Sequence, residues 1–124
     1  IDIIVNGGKT QQESMAVAYA IAHSPLIKTA AAASDPNWGR IVAAIGYADI
    51  EGLDCKSVTV KLDDVLIVEN GGKAASYREE DGQRVFDQES FSIVVDLGRG
   101  SASEQLWTSD LTHEYIRINA EYRT

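Results

Sequence analysis

Apolar and polar residues alternate with a period of two over several short stretches of the chain, which is the pattern of half-buried β-strands. Residues 1–6 are rich in β-branched side chains and end at an Asn-Gly-Gly turn at 6–8. The pattern predicts five strands, at residues 1–6, 58–62, 65–68, 91–97 and 104–108. The glycine-rich turn at 98–100 predicts that the last two strands form a hairpin.

A period of three to four residues replaces this alternation after residue 10. Thr10 and Glu13 form a capping box, in which the hydroxyl accepts from the Glu13 amide and the carboxylate reaches back. The alanine content favours a helix at 11–23, and the apolar residues expected on one face are Met15, Ala18, Tyr19 and Ala22.

Two Xaa-Pro steps predict the next two helix starts. Ser24-Pro25 ends the first helix and begins a short second one, with serine as cap and proline in the first turn. Asp35-Pro36 repeats this device, so we predict Asp35 as a cap. A helix up to Gly46 follows, and its buried stripe consists of Trp38, Ile41, Val42 and Ile45.

A last helix is predicted near the end of the chain. Its apolar residues recur at helical spacing and are Leu111, Tyr115, Ile118 and Tyr122. Ser109 or Asp110 would cap it.

The predicted elements follow the order strand, three helices, four strands and one helix. Residues 73–90 are polar, and we expect them to form a surface excursion without a packed element. This order predicts an α+β single domain with a mixed sheet of about five strands and helices packed on one face.

Length and charge narrow the possible functions. The 124 residues suit one domain, and 19 acidic against 11 basic residues give a net charge of −8. Because phosphate binding needs a basic patch, the charge argues against a nucleic-acid partner. There is no run of eighteen apolar residues, so we predict no membrane span. The single cysteine, Cys55, suits a reducing compartment such as the cytoplasm.

Asn119 and Thr124 are the candidate binding residues of the chain end. The Asn119 amide and the Thr124 hydroxyl and carboxylate lie close enough in sequence to converge on one small zwitterion such as an amino acid. The structural alternative is a frayed terminus with no binding role.

Other chemistry-bearing residues give weaker signals. His23 and His113 lie ninety residues apart without a metal-binding motif, so we predict no metal site. Acidic neighbours disfavour the thiolate of Cys55, which makes it a poor nucleophile. For Asp35, Asn37 and Arg40, a structural role and a functional role are equally compatible with the sequence.

The first residue is Ile1 rather than Met, so we expect the chain to be a piece of a longer polypeptide. Any chemistry then depends on residues upstream of Ile1.

Five segments in order resemble the C-terminal part of ornithine acetyltransferase, a bifunctional protein of arginine biosynthesis. The segments are IDIIVNGG (1–8), SPLIKTA (24–30), SDPNWGR (34–40), VDLGRG (95–100) and INAEYRT (118–124). The resemblance implies that residues 1–124 are the C-terminal domain of the β chain of an enzyme whose precursor cuts itself into α and β chains.

The resemblance also implies the reaction and the site. Acetyl passes from N-acetylornithine to the N-terminal threonine of the β chain, ornithine leaves, and glutamate accepts the acetyl, without a cofactor. The threonine and its cleavage segment do not occur here, so no catalytic residue is expected in this chain. The family's substrate contacts map onto Asn119 and Thr124. The implied partners are the α chain and the rest of the β chain, in an α2β2 assembly.

Some members of the family also take acetyl from acetyl-CoA, and nothing in this sequence decides that point. Two alternatives stay open. One is a related self-processing N-terminal-nucleophile amidohydrolase or aminopeptidase. The other is a stand-alone amino-acid-binding domain.

Overall fold

A single mixed sheet of six strands runs through the part of the chain that the structure, a computed structural model, describes, residues 1–122. The strands are β1 (Asp2–Gly8), β2 (Thr59–Leu62), β3 (Val65–Glu69), β4 (Gly72–Lys73), β5 (Ser92–Asp96) and β6 (Ala102–Trp107). Their order is β4-β3-β2-β5-β1-β6, with β1 parallel to β5 and the remaining pairs antiparallel. The predicted α+β class is confirmed, and the sixth strand is the two-residue β4, which is too short to show a period.

The α-helices within residues 1–122 are α1 (Gln11–Ala22), α2 (Pro25–Ala32), α3 (Trp38–Tyr47), α4 (Glu79–Phe86) and α5 (His113–Glu121). Helices α1 to α4 form a layer on one face of the sheet, whereas α5 has no buried residue. Strand residues facing this helix layer, such as Ile3, Val5, Val60, Ile93 and Val95, have no exposed surface. Alternate residues point to the other, polar face, as expected for a sheet with one solvated side.

The N-terminus of α1 follows the sequence prediction, and its buried face follows it in part. The Glu13 amide donates to Thr10 Oγ1 over 3.0 Å, and the Glu13 carboxylate accepts from the Lys9 amide over 2.8 Å. The buried residues are Glu13, Ser14, Val17, Ala18, Ile21 and Ala22. Of the predicted face, Ala18 and Ala22 are buried, whereas Met15 is only partly buried and Tyr19 is exposed. α1 also contacts α3 and β6, and these contacts shift the buried stripe.

The predicted hairpin between the last two strands is wrong. β6 pairs with β1 instead of β5, with Ile3 opposite Leu106. The turn crosses the end of β1, where the Arg99 amide donates to Gly7 O over 2.7 Å. β1 therefore lies between β5 and β6.

Residues 73–90 contain a packed helix, α4, which corrects the prediction of a surface excursion. Tyr77, Val85 and Phe86 are buried, and the Phe86 ring stacks on Phe91 at 4.4 Å between centroids. Only two apolar residues of α4 face the core, which is too few for a visible helical period.

Two predicted helix caps are displaced by two or three residues. Asn37, not Asp35, caps α3 by accepting from the Arg40 amide over 3.1 Å. Thr112, rather than Ser109 or Asp110, caps α5 by accepting from the Tyr115 amide over 3.2 Å. In both cases the residue directly before the first helical residue supplies the oxygen that reaches the orphan amide.

Candidate functional site

Asn119 lies on α5, with its side chain exposed. Its Nδ2 donates to Tyr115 O one turn earlier over 2.8 Å, which fixes the direction of the amide. As far as the described residues go, the other N–H and the Oδ1 acceptor are then available for a ligand. Thr124 lies outside the described residues, so its convergence with Asn119 stays a prediction.

α5 is attached to the helix layer at its beginning. The Leu111 amide donates to Lys28 O on α2 over 3.1 Å, and Thr108 Oγ1 donates to Ala22 O at the end of α1 over 3.0 Å. These bonds hold the segment before α5 against the body of the domain. Asn119 is thus carried on a helix that is fixed at its base.

One side of α5 carries charged residues. Arg117 pairs with Glu114 and, over 3.1 Å, with Glu121. The hydrogen bond from Arg117 lowers the pKa of the Glu114 carboxyl. These pairs join residues three and four positions apart, which favours the helix. The charged residues of α5 therefore lie together on one side of the helix.

The Asp35–Arg40 segment forms a local hydrogen-bond cluster. Asn37 Nδ2 donates to Asp35 Oδ2 over 3.2 Å while its Oδ1 caps α3. Arg40 Nη1 donates to Leu26 O on α2 over 2.7 Å and so links the two helices. Each of the three side chains has a structural partner.

A groove of about 610 Å³ lies beside this segment, between α1, α2 and α3. Its lining includes His23, Leu26, Arg40 and Tyr47. The ring centroids of His23 and Tyr19 lie 5.0 Å apart. Sequence reasoning missed this groove, because its residues come from three helices.

A buried ion pair lies at the opposite end of α1. Arg99 Nε donates to Glu13 Oε2 over 2.9 Å, and Arg99 Nη2 donates to Glu51 O over 3.1 Å. Burial acts to raise the pKa of Glu13, but the bonds from the Lys9 amide and Arg99 outweigh it and lower the pKa. The capping box gave a signal for Glu13, whereas nothing in the sequence indicated Arg99 as its partner.

Within residues 1–122, no three His, Cys, Asp or Glu side chains come together as a metal site. Over the same range, no helix is long and apolar enough to cross a bilayer.

Comparison with known proteins decides the family. The model of the ArgJ family matches residues 1–124, which is the whole of this sequence. The chain belongs to the ArgJ family. It is 53% identical over 124 residues to the arginine biosynthesis bifunctional protein ArgJ of Pseudomonas fluorescens, and 54% identical over 120 residues to that of Psychrobacter arcticus. The resemblance drawn from the sequence motifs is confirmed at this level.

A solved ArgJ structure has the same fold. The crystal structure of arginine biosynthesis bifunctional protein argJ from Bacillus halodurans superposes with a TM-score of 0.89 and 32% identity, over 98% of this chain and 56% of that one. This chain spans only 31% and 30% of the lengths of the Pseudomonas and Psychrobacter ArgJ proteins. ArgJ proteins therefore carry much polypeptide beyond the part described here.

Proposed function

We propose that this chain is part of an acyltransferase of arginine biosynthesis that moves an acetyl group from N-acetylornithine to glutamate. The observation that carries the proposal is membership of the ArgJ family over residues 1–124. The names of its relatives place those proteins in arginine biosynthesis.

The transfer proceeds in two steps through an acetyl-threonine. A threonine hydroxyl outside this chain attacks the acetyl carbonyl, the amide C–N bond breaks, and ornithine leaves with the proton. The amine of glutamate then attacks the ester, forms N-acetylglutamate and restores the hydroxyl. Each step exchanges one acyl bond for another, so no oxidant or cofactor is needed.

The proposed role of this chain is to bind the amino-acid part of the substrate. Among residues 1–122, the acceptor Oδ1 and the second N–H of Asn119 have no partner, and these groups suit the ammonium and carboxylate of an amino acid. Thr124 would add a hydroxyl at the end of the same segment. The proposed partners are an α chain and the rest of the β chain in an α2β2 assembly, located in the cytoplasm.

Kinetics of the complete enzyme test these site residues. Loss of one hydrogen bond to a charged ligand group costs about 1.5–3 kcal/mol, so Asn119→Ala and deletion of Thr124 should each raise KM for N-acetylornithine about tenfold or more. The control is Gln83→Ala, at an exposed side chain of α4, which should leave KM unchanged. Unchanged KM in both test variants would remove these two residues from the site.

Product analysis tests the reaction itself. The complete enzyme with N-acetylornithine and glutamate should form N-acetylglutamate. Free acetate as the main product would indicate an N-terminal-nucleophile hydrolase. Tight calorimetric binding of ornithine to this chain without other polypeptide would instead favour a stand-alone binding domain.

A further inference from the structure

One face of α3 forms a wall of the groove between α1, α2 and α3. Arg40, Ala43, Ala44 and Tyr47 recur at helical spacing on this face and line the groove. Tyr47 is 85% exposed, and Leu26 on the α2 side of the groove is 59% exposed. A tyrosine left almost wholly in water beside a mostly apolar groove is typical of a surface that binds another protein.

The middle of this α3 face carries only small side chains. Ala44 is 4% exposed, and Ala43 is exposed beside it on the same turn. Alanine at both positions lets a second helix approach to about 8 Å, the short end of the usual distance between helix axes. The face can therefore receive a whole helix.

The α3 face is complementary to a copy of itself. Arg40 and Tyr47 lie seven positions apart, about 10 Å along the helix axis, and their midpoint falls between Ala43 and Ala44. A second α3 that crosses antiparallel over this midpoint places its Tyr47 opposite Arg40 and its Arg40 opposite Tyr47. A twofold axis at the alanines repeats each contact, as a closed dimer requires.

The charges at the two ends of α3 also fit this arrangement. Arg40 Nη1 donates to Leu26 O over 2.7 Å, which holds the side chain in place. Because Arg40 has no carboxylate partner among residues 1–122, its planar group can stack on the Tyr47 ring of a second copy. Asp49 follows the end of α3 and is exposed. The antiparallel crossing brings Asp49 of the second copy to the end of the helix at which Arg40 lies.

We propose that two copies of the chain pack α3 against α3 about a twofold axis beside Ala43 and Ala44. The occupant of the groove is thus α3 of a second copy, and Tyr47 of each copy enters the groove of the other. The contact gives the proposed α2β2 assembly the surface at which its two halves meet, and in that respect it rests on the proposed function. The chemistry of acetyl transfer does not enter the argument.

Charges placed at the twofold axis test this contact in the complete enzyme. Ala43→Glu sets two carboxylates side by side and Ala43→Lys sets two ammonium groups there, so each variant alone should raise the Kd of dimerisation about tenfold or more in a light-scattering dilution series. Co-expression of the two variants under different affinity tags should restore the dimer, because unlike charges then meet. Ala32→Glu, at an exposed alanine of α2 outside the groove, is the matched control and should leave the Kd unchanged. Dissociation without recovery on co-expression would overturn the proposal.

Photo-crosslinking identifies the occupant of the groove. In a mixture of isotope-labelled and unlabelled enzyme, p-benzoylphenylalanine in place of Tyr47 should crosslink two copies at least five times more than in place of Trp107, an exposed aromatic residue on β6. The captured peptide should come from the groove of the other copy. Capture of polypeptide outside residues 1–124, or equal yields at 47 and 107, would overturn the proposal.

Mass and product measurements separate this contact from the proposed reaction. An unchanged Kd in both Ala43→Glu and Ala43→Lys, with N-acetylglutamate as the product, refutes the α3 contact and keeps the acetyl transfer. Dissociation that is reversed by co-expression, with free acetate as the main product, supports the α3 contact and refutes the acetyl transfer.

Discussion

Arg99 donates a hydrogen bond to the Glu13 carboxylate over 2.9 Å, although 86 positions separate the two residues in the sequence. Both side chains are largely buried, with 17% of Arg99 and 9% of Glu13 exposed. The Arg99 amide also donates to Gly7 O at the end of β1. The pair thus fastens the turn between β5 and β6 to the beginning of α1, at the edge where β1 and β5 both end.

Glu13→Gln should reduce stability in a pH-dependent way. The Lys9 amide and Arg99 outweigh the effect of burial and hold the pKa of Glu13 below its usual value, so the unfolded chain binds the proton more tightly than the native one. The stabilisation is therefore present above the unfolded-state pKa and is lost as the pH falls through the lower native value. We expect Glu13→Gln to cost about 2 kcal/mol at neutral pH, where Arg99 loses its charged partner.

Urea unfolding from neutral to acid pH checks this expectation. The difference between wild type and Glu13→Gln should shrink below about pH 4, where the carboxyl of the unfolded chain protonates. Glu89→Gln, on an exposed side chain, serves as the control and should change little. A difference that stays constant down to pH 3 would contradict the assigned role of the carboxylate.

Tyr77→Phe should stabilise the protein, most strongly in alkali. The Tyr77 hydroxyl is buried and has no hydrogen-bond partner among residues 1–122. Removing it relieves the desolvation of an unpaired polar group, worth roughly 1 kcal/mol at neutral pH. Burial, followed by the nearby Glu79 carboxylate, raises the pKa of Tyr77 to about 12.

The sign of the pH effect at Tyr77 follows from its raised pKa. The native state holds the phenolic proton more tightly than the unfolded chain does. The contribution of this proton binding to the free energy of unfolding is therefore full below the unfolded-state pKa of about 10, and it is lost as the pH rises towards 12. Unfolding free energies at pH 8, 10 and 11.5 should show a growing advantage of Tyr77→Phe over wild type. An advantage that shrinks with rising pH would refute this reading of the site.

Local sequence patterns sufficed where neighbouring residues determine the structure. The Thr10–Glu13 capping box and the buried stripe of α3 depend on residues three and four apart. The capping box was predictable, and of the predicted stripe Ile41 and Ile45 are buried while Trp38 and Val42 are partly buried. The partner of β6 was not, because a glycine turn is compatible with a hairpin or with a crossing over β1. The pairing is decided by β1, which lies between β5 and β6 in the sheet but is far from both in the sequence.

The candidate site also has some features that the sequence indicated and others that only the structure shows. The chemistry of Asn119 was visible in the sequence, and the structure adds its fixed amide and its place on an unburied helix. The groove between α1, α2 and α3 combines residues from three elements, so no single pattern indicated it. Thr124 remains a sequence prediction.

Asn37→Ala tests whether the segment before α3 is structural. The mutation removes the oxygen that accepts from the Arg40 amide, and loss of such a cap costs about 1 kcal/mol. Asn37→Ser keeps an acceptor and should recover most of that stability. Thermal unfolding measures both variants. If KM for N-acetylornithine rises in Asn37→Ala and also in the stable Asn37→Ser, the side chain has a binding role beyond the cap.

Gly100→Ala and Gly46→Ala form a matched pair that tests the crossing over β1. A Cβ at Gly100 would lie 2.6 Å from Gly8 O, so the turn or the strand end must shift. Because backbone cannot move there without disturbing the bonds around Arg99, we expect a loss of about 2 kcal/mol, within the range for overpacking. At Gly46, near the end of α3, a Cβ meets nothing within 4 Å. Alanine favours helix over glycine, so Gly46→Ala should gain roughly 0.5–1 kcal/mol.

Urea unfolding of both variants under one condition should give changes of opposite sign in the free energy of unfolding if the turn before β6 crosses the end of β1. Equal small effects would mean that the turn does not approach Gly8 and that the hairpin with β5 must be reconsidered.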